Sequence, residues 1–329
     1  METNMQIQVR INEEGALRNQ RYAFSDKFTL ISELLQNARR AGASRIQVQH
    51  DEATKCLRVA DDGVGIDDFQ KLLTFNESGW DAVTCDEERP FGIGFSKCLY
   101  SAVRCVVTSR GQRVDFETEA ALSKAPIAVI SVPPTDAQAG PTGTVIELRG
   151  VDLPGLATRI ASMCLGFPVT VEFNGRPLER PFAPENLPLT PTPVGDVFLT
   201  GARDGQHHHD TLVFLQGFCV MQPTYHRLDR VNIVHLDSRE FVARLPDRDK
   251  LIDEDDQRRR IAAALQARWR EVLVAAKAEL PAEQFVETYY AAMRSWGHLY
   301  LLNDVEVLPG EICEEIVGYP YQHGNGERD

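Results

Sequence analysis

The hydrophobic positions near the amino terminus follow two different periods. Between Asp26 and Gly42 they recur every three or four residues, which predicts an amphipathic helix with Asp26 as its N-cap and Gly42 at its end. Its apolar side is formed by Leu30, Ile31, Leu34, Leu35 and Ala38. In residues 44–52 and 56–63, apolar and β-branched residues instead flank a polar turn, which predicts two strands.

Helical and strand patterns continue to alternate up to about residue 150. A short strand is predicted at Ile7, Val9 and Ile11, and residues 76–90 have no period and are predicted to be a loop. The remaining elements predicted here are helices over 66–75 and 93–102 and strands over 102–110, 126–132 and 143–150. Because strands run consecutively between helices, the pattern predicts an α+β sandwich and not a doubly wound parallel sheet.

The second half of the chain begins with a change of pattern near residues 150–155. The proline-rich residues 176–196 predict a loop or an edge connection. Further predictions are strands over 210–220 and 230–237 and a charged helix over 253–276, which opens with acidic residues as the helix dipole prefers. The predicted domains are 1–152, 153–252 and 253–329.

Composition narrows the class of protein. The chain has 329 residues, 43% of them hydrophobic, which is enough for more than one core. Its formal net charge of -13 argues against a surface devoted to nucleic acid or an anionic membrane. Seven scattered cysteines without a CxxC pair predict reduced thiols. With no apolar run that resembles a signal peptide or a membrane span, we expect a cytoplasmic protein with no membrane contact.

Two polar residues lie four positions apart on the first predicted helix. At 100° per residue, Glu33 and Asn37 fall together at the edge of its apolar side. They are either a surface polar pair or a functional pair. In the functional interpretation, Glu33 is a base for a water molecule and Asn37 is an oxygen ligand for a hard cation such as magnesium.

A second group of residues follows the strand predicted over 56–63. Asp61 lies at the end of this strand, and Gly63 and Gly65 come directly after it. Such an aspartate can accept a hydrogen bond from an exocyclic amine, while the glycines let the backbone approach a flat ring. The alternative is an ordinary Asp-Gly turn, and the neighbouring Asp62 is interpreted as a turn residue.

A third group precedes the helix predicted over 93–102. Gly92 and Gly94 lie before its first turn, where backbone N–H groups favour phosphate. By itself, this pattern is weak evidence for a phosphate-binding site. It is not a Walker A loop, because the closing lysine and Ser/Thr are missing.

In this order and at these separations, the three groups resemble the motifs of the GHKL ATPase superfamily. The stretch "ELLQNARRAGA" resembles the first box, which implies that Glu33 is the general base and Asn37 the magnesium ligand. The stretch "DDGVGI" resembles the second box, which implies that Asp61 binds the adenine amine. The implied ligands are therefore ATP and Mg²⁺.

Two further stretches extend the resemblance. "FGIGF" resembles the third box, the glycine-rich hinge of a lid on the phosphates, and it contains Gly92, Ile93, Gly94 and Phe95. "GTVIEL" resembles the strand whose threonine, here Thr144, supports the aspartate at the adenine. Residues 76–91 would form the lid, and Trp80 would either cover the nucleotide or pack the closed lid.

Within the superfamily, the "GIGF" form resembles the ninety-kilodalton heat-shock chaperone, Hsp90. Residues 243–265 resemble that protein's middle-domain segment, which implies that Arg248, or Lys250 in its place, reaches the γ-phosphate. The alternative for this segment is a solvated charge cluster. The implied architecture is a two-layer α/β sandwich of the GHKL type, a second middle-domain-like α/β domain and carboxy-terminal helices.

The implied function is slow, magnesium-dependent ATP hydrolysis that drives a conformational cycle of the chaperone or remodelling type. The partner would be an unidentified protein or client, with a homodimer formed through the carboxy-terminal helices or by ATP-driven pairing of the amino-terminal domains. One alternative is a non-hydrolysing, ATP-gated interaction module. The other is a DNA-processing subunit related to MutL or gyrase B, against which the acidic charge counts.

Three consecutive histidines, His207, His208 and His209, invite a metal-site interpretation. Adjacent residues point in different directions, so three of them rarely bind one ion. A solvated loop is therefore favoured.

Overall fold

The chain forms a mixed α+β structure with two sheets, as the hydrophobic pattern predicted. The computed structural model describes residues 8–22, 26–77, 79–80, 82–88, 92, 94–133, 140, 142–223, 230–244, 250–305, 308, 310 and 312. Two compact units are present: residues 1–183 with 244–248, and residues 184–243 with 249–329. The boundary predicted after residue 152 thus falls inside the first unit.

The first unit contains short helices around an eight-stranded sheet. Its helices are α1 (Glu13–Gln20), α2 (Thr29–Arg40), α3 (Gln70–Leu73), α4 (Ala82–Glu88), α5 (Ser96–Ser101), α6 (Thr118–Leu122) and α7 (Leu156–Met163). Its strands are β1 (Arg45–Asp51), β2 (Cys56–Asp61), β3 (Arg104–Ser109), β4 (Gln112–Glu117), β5 (Ile130–Ser131), β6 (Thr144–Arg149), β7 (Thr170–Phe173) and β8 (Arg176–Pro177).

The strand order of this sheet is β5-β4-β3-β6-β2-β1-β7-β8. Its pairs are antiparallel except for β1 and β7, which are parallel. The β1–β7 pair brings residues 170–177 into the first sheet. The first unit therefore extends well past the change of pattern near residue 150.

One face of the first sheet is buried, and the opposite face is largely polar. On the buried face, Val59 of β2 lies opposite Val48 of β1 and Ile146 of β6. Eight of the twelve residues of α2 are buried, which is consistent with its strongly apolar side. The polar face carries ion pairs such as Arg104–Asp115, with Nε and Oδ1 2.7 Å apart.

The second unit combines a five-stranded sheet with two long helices. Its elements are β9 (Thr190–Thr192), β10 (Gly195–Phe198), β11 (Thr211–Leu215), β12 (Phe218–Met221), β13 (Asn232–Leu236), α8 (Glu254–Glu279) and α9 (Ala282–Ser295), with 3₁₀ turns at Pro184–Asn186 and Leu299–Leu302. The strand order is β12-β11-β13-β10-β9. Helices and sheet share one apolar core, in which Trp269 is fully buried. Part of the proline-rich segment, which was predicted to be a loop or an edge connection, forms the strand β9 at the edge of this sheet.

Several predicted elements are confirmed, and some are wrong. The helix predicted after Asp26 is α2, but Phe28 occupies its N-cap position; the Asp26 carboxylate accepts a hydrogen bond from the Phe28 N–H at 2.8 Å. Residues 8–12 form no strand, and β4 was not predicted. Residues 82–88 form the helix α4, where a loop was predicted. This short helix has no apolar period, so contacts with the rest of the unit decide its conformation.

Within the described part of the chain, no helix is both long and apolar enough to cross a membrane. The cysteines that the structure describes are free thiols, as predicted.

Candidate functional site

A cavity of about 170 Å³ in the first unit is lined by residues from α2, β2, β6 and the segments around residues 65–80 and 92–96. The predicted site residues on its wall are Glu33, Asn37, Asp61, Gly65, Gly92, Gly94, Phe95 and Thr144. These residues are far apart in sequence. Folding of the first unit therefore brings most of the predicted site together.

Asp61 is a buried carboxylate at the end of β2, only 7% exposed. Its Oδ1 accepts a hydrogen bond from the Gly63 N–H at 3.0 Å. Burial raises the pKa of Asp61 from its ordinary value of 3.8 to about 6, although the backbone N–H groups of Gly63 and Thr144 oppose the rise. An ionised acceptor held in a poorly solvated place is suited to a ligand that donates hydrogen bonds.

A hydrogen-bonded group beside Asp61 holds this end of the sheet in place. Thr144 is the direct partner of Asp61 in the β2–β6 pair, and its hydroxyl lies 3.3 Å from the Ser109 hydroxyl. Ser109 Oγ accepts a hydrogen bond from the Ile66 N–H at 2.9 Å. Gly65 has a φ of +77°, and a Cβ there would overlap the Thr142 carbonyl oxygen. Ser109 was not among the predicted site residues; its position at the end of β3 was the available signal.

Asp62 has a different role from its neighbour. It is exposed, and its Oδ1 accepts hydrogen bonds from the backbone N–H groups of Ser44 at 2.8 Å and Arg45 at 3.0 Å. These contacts hold the start of β1. Asp62 therefore has a structural role at the start of β1, and its interpretation as a turn residue stays a prediction.

Glu33 and the glycine-rich segment meet inside the cavity. The Glu33 side chain is buried, with the residue 5% exposed, and Asn37 is half-buried one turn later. A Cβ at Gly94 would overlap Glu33 Oε2, so a larger residue there would require the Glu33 carboxylate to move. The candidate base thus lies against the segment that was predicted to bind phosphate.

The oxygen atoms at this site suit a magnesium ion that arrives with phosphate groups. Asn37 offers one amide oxygen, and Mg²⁺ usually takes only one or two protein ligands beside phosphate and water. Across the described residues, no group of three or more His, Cys, Asp or Glu side chains could hold a metal ion. The site therefore does not have the ligand set of a permanent metal centre.

The cavity wall also contains residues that the sequence analysis did not assign to the site. Among them are the cationic residues Arg40 and Lys71. Arg40 comes three residues after Asn37, so its spacing on the helix was a usable signal. Trp80, predicted to belong to the lid, also lines the cavity.

The remaining predicted residues differ in their placement. Gly63 lies next to Asp61 but is not on the described cavity wall. Ile93 and Arg248 lie outside the described residues. Lys250 is exposed and belongs to the second unit. The roles of Arg248 and Lys250 at the γ-phosphate stay predictions.

The histidine segment is less solvated than predicted. His207 is half-buried, its Nε2 lies 2.8 Å from the Ser295 hydroxyl, and its ring contacts Trp269 edge-on. His209 is exposed. The segment therefore packs partly on the helices of the second unit.

Comparison with known proteins gives no family assignment. None of the protein-family models matches the chain, and no curated protein matches it. The superfamily resemblance therefore rests on the sequence motifs.

Proposed function

We propose that the first unit binds ATP with Mg²⁺ and hydrolyses ATP slowly, as an Hsp90-like member of the GHKL superfamily. The observation that supports this function is the convergence of four separate motifs on one cavity, through Glu33 and Asn37, Asp61, Gly94 and Thr144. A sheet with one buried face and a helix such as α2 on its apolar side is also consistent with the two-layer sandwich of that superfamily.

Asp61 would select the base of the nucleotide. Its carboxylate faces the cavity and can accept a hydrogen bond from the exocyclic amine of adenine. The Gly63 N–H and the strand partner Thr144 hold the carboxylate, while Gly65 keeps the backbone free of a side chain. Because this acceptor is poorly solvated, a missing donor would leave a buried charge unsatisfied, and this gives discrimination between bases.

Glu33 and Asn37 would act at the phosphate end. Glu33 would accept a proton from the attacking water, and Asn37 would hold the metal ion through its amide oxygen. Magnesium, when bound, neutralises charge on the phosphate oxygens. Gly94 leaves room for the Glu33 carboxylate beside the phosphate-binding segment.

The second unit would work as a middle-domain-like partner of the nucleotide-binding unit, with α8 and α9 as the carboxy-terminal helices of the proposed architecture. Hydrolysis would then time a conformational cycle that serves a protein partner or client, in a monomer or a homodimer.

Calorimetry with ATP and Mg²⁺, followed by phosphate release from the same samples, tests this function. The native chain should bind ATP and release phosphate, and Asp61→Asn should lose binding. Glu33→Ala should keep binding and lose turnover. Asp62→Asn is a matched control, because this neighbouring carboxylate bonds the start of β1 and does not line the cavity.

The calorimetry and phosphate-release measurements also distinguish the alternatives to the proposed function. Binding without phosphate release from the native chain would favour the non-hydrolysing, ATP-gated module. Absence of binding by the native chain would overturn the proposed function. Equal loss of binding in Asp61→Asn and Asp62→Asn would point to a general disturbance of this turn.

A further inference from the structure

An ion pair joins α4 to α2 beside the cavity. Glu88, the last residue of α4, accepts hydrogen bonds from Arg39 and Arg40, the last two residues of α2. The distance from Arg40 Nε to Glu88 Oε2 is 2.8 Å. Burial by itself raises the pKa of Glu88, but the two guanidinium groups outweigh this effect and lower it. Glu88 is therefore ionised at neutral pH.

Only one of the two arginines belongs to the described cavity wall. The Arg40 side chain is 2% exposed and lines the cavity, whereas the Arg39 side chain is 19% exposed and does not line it. Arg40 follows Asn37 by three residues and therefore lies on the same side of α2. The two arginines share a partner but differ in their access to a ligand.

Arg40 differs from the other charged residues of the described cavity wall in being both cationic and buried. The described wall carries four carboxylates and two cations, and a polyphosphate would add further negative charge. The other cation, Lys71, is 43% exposed on its side chain and pairs with Asp67 at 3.1 Å. Arg40 is the buried cation of the described wall, and a guanidinium binds phosphate through several parallel hydrogen bonds.

We infer that Arg40 is a phosphate-binding residue of this cavity and that Glu88 competes with the ligand's phosphate groups for the Arg40 guanidinium. The inference rests on the proposed nucleotide site. Attachment of α4 to α2 through Arg40 and binding of the phosphates then oppose each other. By linkage, a change that weakens the Glu88 contact strengthens phosphate binding.

The experiment measures binding of two probes, ATP with Mg²⁺ and adenosine, to the full chain by calorimetry. Arg40→Gln should lower the affinity for ATP by about tenfold or more through loss of a charge-assisted hydrogen bond, and leave the affinity for adenosine unchanged. Glu88→Gln should raise the affinity for ATP. Arg39→Gln is the matched control, because it alters the same ion pair without removing a residue of the described wall, and it should change the affinity for ATP much less than Arg40→Gln does.

Other outcomes overturn the inference. Equal loss of ATP and adenosine binding in Arg40→Gln would assign Arg40 a structural role, and weaker ATP binding by Glu88→Gln would exclude competition. If Arg40→Gln fails to fold, as judged by its melting curve, the ATP affinities of Arg40→Lys and Glu88→Gln decide whether the inference holds. Native chain that binds adenosine as tightly as ATP would contradict the role of Arg40 and leave the adenine site in place. Native chain that binds neither would overturn the proposed function and this inference with it.

Discussion

The two units differ in the side chains that they bury. In the first unit, Glu33, Asp61 and Lys97 are charged and at most 7% exposed. Across the described residues of the second unit, no charged side chain is buried, and the buried polar residues are Asn232 and His298. Burying a charge costs free energy unless partners compensate for it, so folding alone does not favour such residues. The comparison separates a unit that buries charged side chains around its cavity from one whose described core is mainly apolar.

The long helix of the second unit illustrates the packing side of this comparison. The buried residues of α8 are Ile261, Leu265, Trp269 and Leu273, each four positions after the previous one. Its other sides carry ion pairs such as Arg258–Glu254 and Arg260–Glu240. The arginine run of α8 thus forms a charged surface whose charges are balanced by acids of the same unit.

The largest expected effect concerns the core of the second unit. Trp269→Ala should lower the free energy of unfolding of this unit by about 3–5 kcal/mol, because it removes a fully buried indole and leaves a cavity. Urea denaturation followed by circular dichroism would measure the change. Val274→Ala on the same helix is the control, since Val274 is 45% exposed and should cost less than about 0.5 kcal/mol. Similar losses in both variants would contradict the assignment of Trp269 to the core.

The next effect has the opposite sign and lies in the first unit. The pKa of Asp61 is about 6 in the folded chain and 3.8 ordinarily, so this carboxyl lowers the stability of the fold progressively as the pH rises from about 4 to about 6, and the loss is constant at higher pH. Asp61→Asn should therefore raise the free energy of unfolding at pH 7.5 by up to about 3 kcal/mol, and the gain should shrink towards zero at pH 4. Denaturant titrations at the two pH values would measure it.

Asp62→Asn is the control for that prediction. Burial alone would raise the pKa of Asp62, but hydrogen bonds from Ser44 and Arg45 outweigh burial and lower it. Its carboxylate therefore stabilises the fold at neutral pH, and its replacement should lower the free energy of unfolding at pH 7.5. Changes of the same sign in the two variants would contradict the difference between these neighbouring residues.

A smaller effect is expected where Gly94 approaches Glu33. Gly94→Ala should cost about 1–3 kcal/mol of stability, because the added methyl group overlaps the Glu33 carboxylate and forces it to move. Phosphate release should fall with it. The control is Gly310→Ala, since a Cβ at Gly310 meets no atom within 4 Å. Unchanged turnover in Gly94→Ala would mean that the position of Glu33 does not matter.

The smallest effect is a pH dependence of ligand binding. Protonation of Asp61 removes the negative charge that strengthens its hydrogen bond to an amine, so the affinity for adenosine should fall below about pH 6, by at most about tenfold, or about 1.4 kcal/mol, for each pH unit. Adenosine is the suitable probe because it has no phosphate groups that titrate. Asp62→Asn should follow the same profile, and a flat profile in the native chain would show that the charge of Asp61 does not contribute to binding.

Local patterns predicted much of the first unit. The period of three to four identified α2, and alternation identified β1 and β2, because both patterns reflect geometry within a few consecutive residues. Predictions failed where distant segments decide the structure. Helix α4 has no apolar period and bonds to α2 through Glu88, and β7 enters the first sheet by pairing with β1.

The sequence by itself determined which polar residues were candidates for a site and which side of α2 and β2 they occupy, because side-chain direction follows from backbone period. Only the tertiary structure decided that Glu33 is buried against Gly94, that Asp61 is poorly solvated and has a raised pKa, and that Arg40 lies between the cavity and Glu88. Burial, pKa and charge pairing depend on atoms that come from segments far apart along the chain, and only the packed fold brings those atoms together.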